Sequence, residues 1–73
     1  MSVYKFIEIA GSSPNSWEEA AANAINMTAE TVRDIRVAEV ILLDMHMEKG
    51  KISEYRAKLR VSFKMEAHNL KAV

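Results

Sequence analysis

The chain has 73 residues, no cysteine, and ten basic residues balanced by ten acidic ones, so its formal net charge is zero. That length suits one domain, in a size range where folding buries only about 60% of the unfolded surface and the core is marginal. The composition excludes disulfides and thiolate zinc sites as staples, and the balanced charge gives no general attraction to nucleic acid or anionic membranes.

The two histidines, His46 and His68, lie far apart and show no ligand spacing. Self-association is then the remaining source of extra stability for so small a scaffold. The N-terminal residues carry neither a basic start followed by an apolar stretch nor a cleavage motif. The longest apolar run, Val40 to Leu43, is far short of the roughly 18 to 20 residues that cross a bilayer. The expectation is a soluble, cytoplasmic protein without a membrane partner.

In chain order, Val3, Tyr4, Phe6, Ile7 and Ile9 form a β-branched and aromatic run, which predicts a strand over 2–10. The turn formers Gly11-Ser12-Ser13-Pro14 then predict a loop. Ser16-Trp17-Glu18-Glu19 has the form of a capping box, with the Ser16 hydroxyl on the Glu19 amide and the Glu19 carboxylate reaching back. Ser13 before Pro14 is a competing cap. A helix over 15–32 follows, with a buried stripe of Trp17, Ala20, Ala21, Ala24, Thr28, Thr31 and Val32 at helical spacing. Its small alanines allow close approach to a sheet.

A second strand is predicted over 35–47, where Ile35, Val37, Glu39, Ile41, Leu43, Met45 and Met47 alternate against Arg36, Ala38, Val40, Leu42, Asp44 and His46. In its middle both faces are apolar, and a chain with one helix has nothing to cover the second face. The simplest cover is another copy of the chain. Glu48-Lys49-Gly50-Lys51 supplies a hairpin turn. From Tyr55 to Glu66 the alternation is uninterrupted: Tyr55, Ala57, Leu59, Val61, Phe63 and Met65 face one way and Arg56, Lys58, Arg60, Ser62, Lys64 and Glu66 the other. This places a third strand over 51–66, followed by a tail over 67–73.

Taken together, Met1-Ser2-Val3-Tyr4-Lys5, Gly11-Ser12-Ser13-Pro14, Ser16-Trp17-Glu18-Glu19-Ala20-Ala21, Arg36-Val37-Ala38-Glu39-Val40 and Tyr55-Arg56-Ala57-Lys58-Leu59-Arg60-Val61-Ser62-Phe63 resemble the dodecin family over nearly the whole chain. The resemblance implies an α+β subunit of order β-α-β-β, with a three-stranded antiparallel sheet wrapped around one helix. It further implies assembly into a hollow homododecamer, with flavins bound at subunit interfaces in many members. The flavin-stacking tryptophan and the ring-edge glutamine of such members correspond here to Val37 and Arg56. A valine cannot stack as an aromatic does, so the flavin pocket is degenerate. The second-strand entry Asp34-Ile35-Arg36-Val37-Ala38 is most similar to the calcium dodecin group.

Calcium asks for roughly six to eight hard oxygens, which symmetry can assemble from several chains. Candidate carboxylates are Glu18 and Glu19 at the helix start and Asp44, Glu48 and Glu54 around the hairpin. The commoner fates of these groups are capping for Glu19, a solvated first-turn acid for Glu18, and cross-strand pairing for the other three. Arg56 can recognise a carboxylate or phosphate with its fork, or pair with Glu39. The row Arg56, Lys58, Arg60 and Lys64 suits pairing with Glu8, Glu39 or Glu66 across strands or subunits, or an anion-holding interior. No nucleophile-base pair or cofactor fingerprint is present. The function expected is non-enzymatic sequestration of an ion or small ligand, calcium first; a flavin store and a ligand-free structural assembly are the alternatives.

Overall fold

The computed structural model describes residues 2–65. The expected tail over 67–73, together with Glu66 and His68, lies outside the described residues. Four elements follow in order: β1 (Tyr4–Ser13), α1 (Trp17–Thr28), β2 (Ile35–Glu48) and β3 (Lys51–Lys64). The three strands form one antiparallel sheet in the order β1-β3-β2, with α1 on one face.

The core lies between α1 and the central strand. Ala20 and Ala24 of the helix meet Ala57 and Leu59 of β3, with Ile9, Ala21 and Ile25 packed around them. Further along β3, Val61 and Phe63 are fully buried, and Val32, after the helix, is buried as well. Gly11 explains how the helix comes so close. A Cβ at this position would run into the Ala20 carbonyl oxygen and the Ala24 side chain, so the backbone of β1 itself forms the floor under α1.

Gly11, Ser12 and Ser13 belong to β1, pairing with Ala57, Arg56 and Tyr55, and not to the loop expected after a strand over 2–10. Turn-forming residues sit in a strand here because the helix needs a side-chain-free backbone beneath it and Ser13 is buried. The Ser13 hydroxyl donates to Glu19 Oε1 at 2.8 Å and accepts the Asn15 amide at 3.0 Å. Ser16 is the cap and accepts the Glu19 amide at 3.0 Å. The reciprocal half of the capping box is absent, because the Glu19 carboxylate is taken by Ser13 and by the Asn15 side chain.

The helix ends at Thr28, one turn before the expected limit of 32. The Thr28 hydroxyl turns back onto the Ala24 carbonyl at 2.8 Å, and the Thr31 and Val32 amides both bond to the Thr28 carbonyl. This tighter turn still buries Val32, which is why the helical stripe could be read through it. Asp34 then takes a left-handed conformation, φ 58°, which a short acidic side chain tolerates, and leads into β2.

The β2–β3 hairpin turns through Lys49 and Gly50, both with positive φ (51° and 77°), as a turn matched to strand twist requires. The period-two reading of β2 is corrected at three register shifts, at Ile35/Val37, Val40/Leu42 and His46/Met47. The first two insert Arg36 and Ile41 into β2 and exchange its faces beyond them, while at the third the extra residue is Ser53 of β3. Val37, Glu39, Leu42 and Asp44 therefore stand opposite Ser62, Arg60, Lys58 and Arg56, on the face turned away from α1. Ala38, Val40, Leu43 and Met45 share the helix side with Val61, Leu59, Ala57 and Tyr55.

Candidate functional site

The face of the sheet away from α1 carries ionic groups in cross-strand rows. Pairing places Ser12, Arg56 and Asp44 in one row, Ala10, Lys58 and Leu42 in the next, and Glu8, Arg60 and Glu39 in a third. Arg56 forms a two-pronged ion pair with Asp44, Nε to Oδ1 at 2.7 Å and Nη2 to Oδ2 at 2.8 Å. Glu8 bridges two cations, Arg60 at 3.0 Å and Lys58 at 3.4 Å. The Arg56 and Asp44 side chains stay 52% and 40% exposed, so solvent screens the pair and its value lies in geometry more than in stability.

These contacts set the local titration behaviour. Hydrogen bonds from Arg60 and Lys58 hold the Glu8 carboxyl below its usual range, and the Arg56 guanidinium does the same for Asp44. Asp44 in turn raises the Arg56 value. The expectation of pairing for Arg56 is met by Asp44 across the hairpin and not by Glu39, which the register places opposite Arg60.

The backbone of Asp44 is fixed from the other side of the sheet. The Trp17 indole N–H donates to the Asp44 carbonyl at 2.9 Å, and its ring packs edge-on against Tyr55 at 5.1 Å. The first residue of α1 thus anchors the helix to the hairpin and holds the strand segment that carries the Asp44–Arg56 pair.

Beside that pair lies a concavity of about 510 Å³, floored by Ala10 and Ser12 of β1 and walled by Leu42, Glu54, Arg56 and Lys58. A hollow forms here because β1 presents only small side chains opposite two long cationic ones. The sequence alone ends the strand at Ala10 and puts Ser12 in the loop after it; the extension of β1 to Ser13 and the strand order bring both against Lys58 and Arg56. A second concavity, about 500 Å³, runs between β1 and α1 past Ile9, Asn23 and Met27; among the described residues no ionisable side chain lines it.

Of the candidate carboxylates, Glu19 is bound by Ser13 and Asn15 and Asp44 by Arg56. Glu18, Glu48 and Glu54 are exposed, with Glu48 opposite Lys51 and Glu54 opposite His46. Among the described residues, no three His, Asp or Glu side chains are grouped as a metal site would need. Val37 and Arg56, the two positions of the family flavin pocket, stand opposite Ser62 and Asp44, about 20 Å apart along the sheet at the usual strand rise. One chain does not bring them together. His46 is exposed and contacts the Ser53 hydroxyl at 3.1 Å, while that hydroxyl donates to the His46 carbonyl. No described helix is long and apolar enough to cross a membrane.

The dodecin family model matches residues 3–66. The calcium dodecin of Mycobacterium tuberculosis is 59% identical over 89% of this chain and 92% of its own length. A crystal structure of that organism's calcium-chelating immunodominant antigen, a calcium dodecin with a novel calcium-binding site, superposes with a TM-score of 0.80 at 57% identity, covering 90% of this chain and 94% of the other. The dodecin from Streptomyces coelicolor gives 0.84 at 26% identity, covering 89% and 93%. With its β-α-β-β order, its single antiparallel sheet around one helix and a match over nearly its whole length, the chain belongs to the dodecin family.

Proposed function

We propose that this chain closes into a hollow homododecamer that binds and sequesters calcium without catalysing a reaction, in the cytoplasm. The observation that carries the assembly is β2. Its large apolar side chains on both faces, Val37, Val40, Ile41, Leu42, Leu43, Met45 and Met47, are 40–60% exposed in the single chain, far more contiguous apolar surface than a soluble monomer tolerates. Copies of the chain are the cover that family membership supplies.

Calcium is preferred to flavin on two grounds. The relatives at 57–59% identity are named for calcium, and Arg56 is already saturated along one edge by Asp44 while Val37 offers no ring. With Glu19 and Asp44 engaged, the exposed Glu18, Glu48 and Glu54 are the carboxylates assigned to the ion. Each chain contributes too few oxygens, so the site is completed by neighbours around a symmetry axis.

Native mass spectrometry with calorimetric calcium titration tests this reading. The expected particle is near twelve times 8.2 kDa, colourless, and stabilised by calcium through mass action. Replacing Glu18, Glu48 and Glu54 by Gln together should remove calcium binding and leave the particle intact. A folded monomer, a yellow particle with bound flavin, or unchanged calcium affinity in the triple variant would overturn it.

A further inference from the structure

The hollow over Ala10 and Ser12 shares only Glu54, on its wall, with the calcium reading; its two cations are not used there. Two cations on adjacent rows border it, and Arg56 is oriented by its contact with Asp44. A guanidinium has five N–H donors. Asp44 engages Arg56 through Nε and Nη2, so the Nη1 group remains available. Lys58 lies 3.4 Å from Glu8, a loose contact that a better acceptor can replace. Ser12, exposed and in the same row as Arg56, adds a hydroxyl. Two carboxylates, Asp44 and Glu54, also line the space, so the local charge nearly cancels and no anion is drawn in at long range.

We propose that this hollow is a binding site for a small oxyanion, a carboxylate or a phosphate, received by Arg56 and Lys58, with Asp44 as the resident carboxylate that the ligand displaces. Arg56 already holds a group of the same chemistry in fork-to-fork geometry. The hollow is large enough for a metabolite-sized anion. At the guanidinium one oxyanion is exchanged for another: the Asp44 carboxylate turns to solvent as the ligand takes its two hydrogen bonds. Weak binding follows for the native chain, since an intramolecular competitor is present at high effective concentration.

The decisive variant is Asp44→Asn, which removes the competitor and keeps its shape. The Trp17 contact is untouched, because it uses the backbone carbonyl. In calcium-free buffer, separate calorimetric titrations with inorganic phosphate and with acetate distinguish the two oxyanions. Asp44→Asn should bind at least one of them about tenfold more tightly than the native chain. Adding Arg56→Lys, which keeps the charge and loses the fork, should reverse the gain, and Lys58→Gln alone should weaken binding several-fold. No gain in Asp44→Asn, or a gain that survives loss of the fork, would overturn the site. If Asp44→Asn fails to fold, Lys58→Gln in the native background still decides, since unchanged binding there removes the second cation from the site. None of these outcomes depends on whether calcium binds.

Discussion

β2 and β3 are hairpin partners of equal length, fourteen residues each, yet they have opposite fates. Every odd position of β3 from Ala57 to Phe63 is buried, while no residue of β2 is. The strands do not differ in hydrophobicity in the direction this suggests, since β2 has the denser apolar run. They differ in place: β3 is central and lies beneath α1, whereas β2 is an edge that the helix reaches mainly through Trp17. Burial is a property of neighbours, and an edge strand built for burial announces neighbours from elsewhere.

The largest break in this contrast comes from truncating β3. Phe63→Ala should cost about 3 to 5 kcal/mol, by lost transfer energy and the cavity left behind, read as a fall in the denaturation midpoint. Val40→Ala on β2 should cost less than about 0.5 kcal/mol in a dissociated chain. In the assembled particle it should instead weaken subunit association, which native mass spectra at falling concentration would reveal. Equal costs for the two in the dissociated chain would erase the distinction between central and edge strand.

Gly11→Ala comes next. The added methyl meets helix backbone that cannot retreat without opening the packing of Ala20 and Ala24 on Ala57 and Leu59, so the change should destabilise by about 1 to 3 kcal/mol in a thermal melt. Trp17→Phe removes the indole N–H from the Asp44 carbonyl and should cost about 1 kcal/mol for that bond, chiefly by freeing the hairpin arm. Faster amide exchange in the hairpin than in β1 would be the signature.

The smallest effect is on pH. Glu8 and Asp44 have carboxyls lowered by their cationic partners, so their contribution is complete above the ordinary carboxylate range and is lost as pH falls through the lowered values. Stability should fall modestly below about pH 4. Because both carboxylates are solvent-exposed, Glu8→Gln and Asp44→Asn together should flatten only part of that acid limb.

The fold was legible where the pattern was local. The β3 alternation, the Ser16 cap and the Gly50 turn each follow from a few adjacent residues, and the structure keeps all three. Reading failed at Gly11–Ser13, where turn formers became strand because the helix that follows folds back and needs bare backbone beneath it. It failed again in β2, where the shifts at Val37 and Leu42 reversed the faces, since a bulge leaves little trace in a hydrophobicity pattern. Of the ionic groups, the partners of Arg56 and Lys58 could be drawn up from the sequence as alternatives, and the strand register selected Asp44 and Glu8.

The amino-acid order alone determined a β-α-β-β chain with one amphipathic strand, one strand apolar on both faces, and too little material to cover the latter. Periodicity carries that information because side-chain direction is fixed by backbone geometry within each element. Only the tertiary arrangement decided which strand is central, which cation meets which carboxylate, and where the sheet is hollow. Those outcomes depend on pairing between residues from 12 to 52 positions apart, for which spacing along the chain supplies no coordinate.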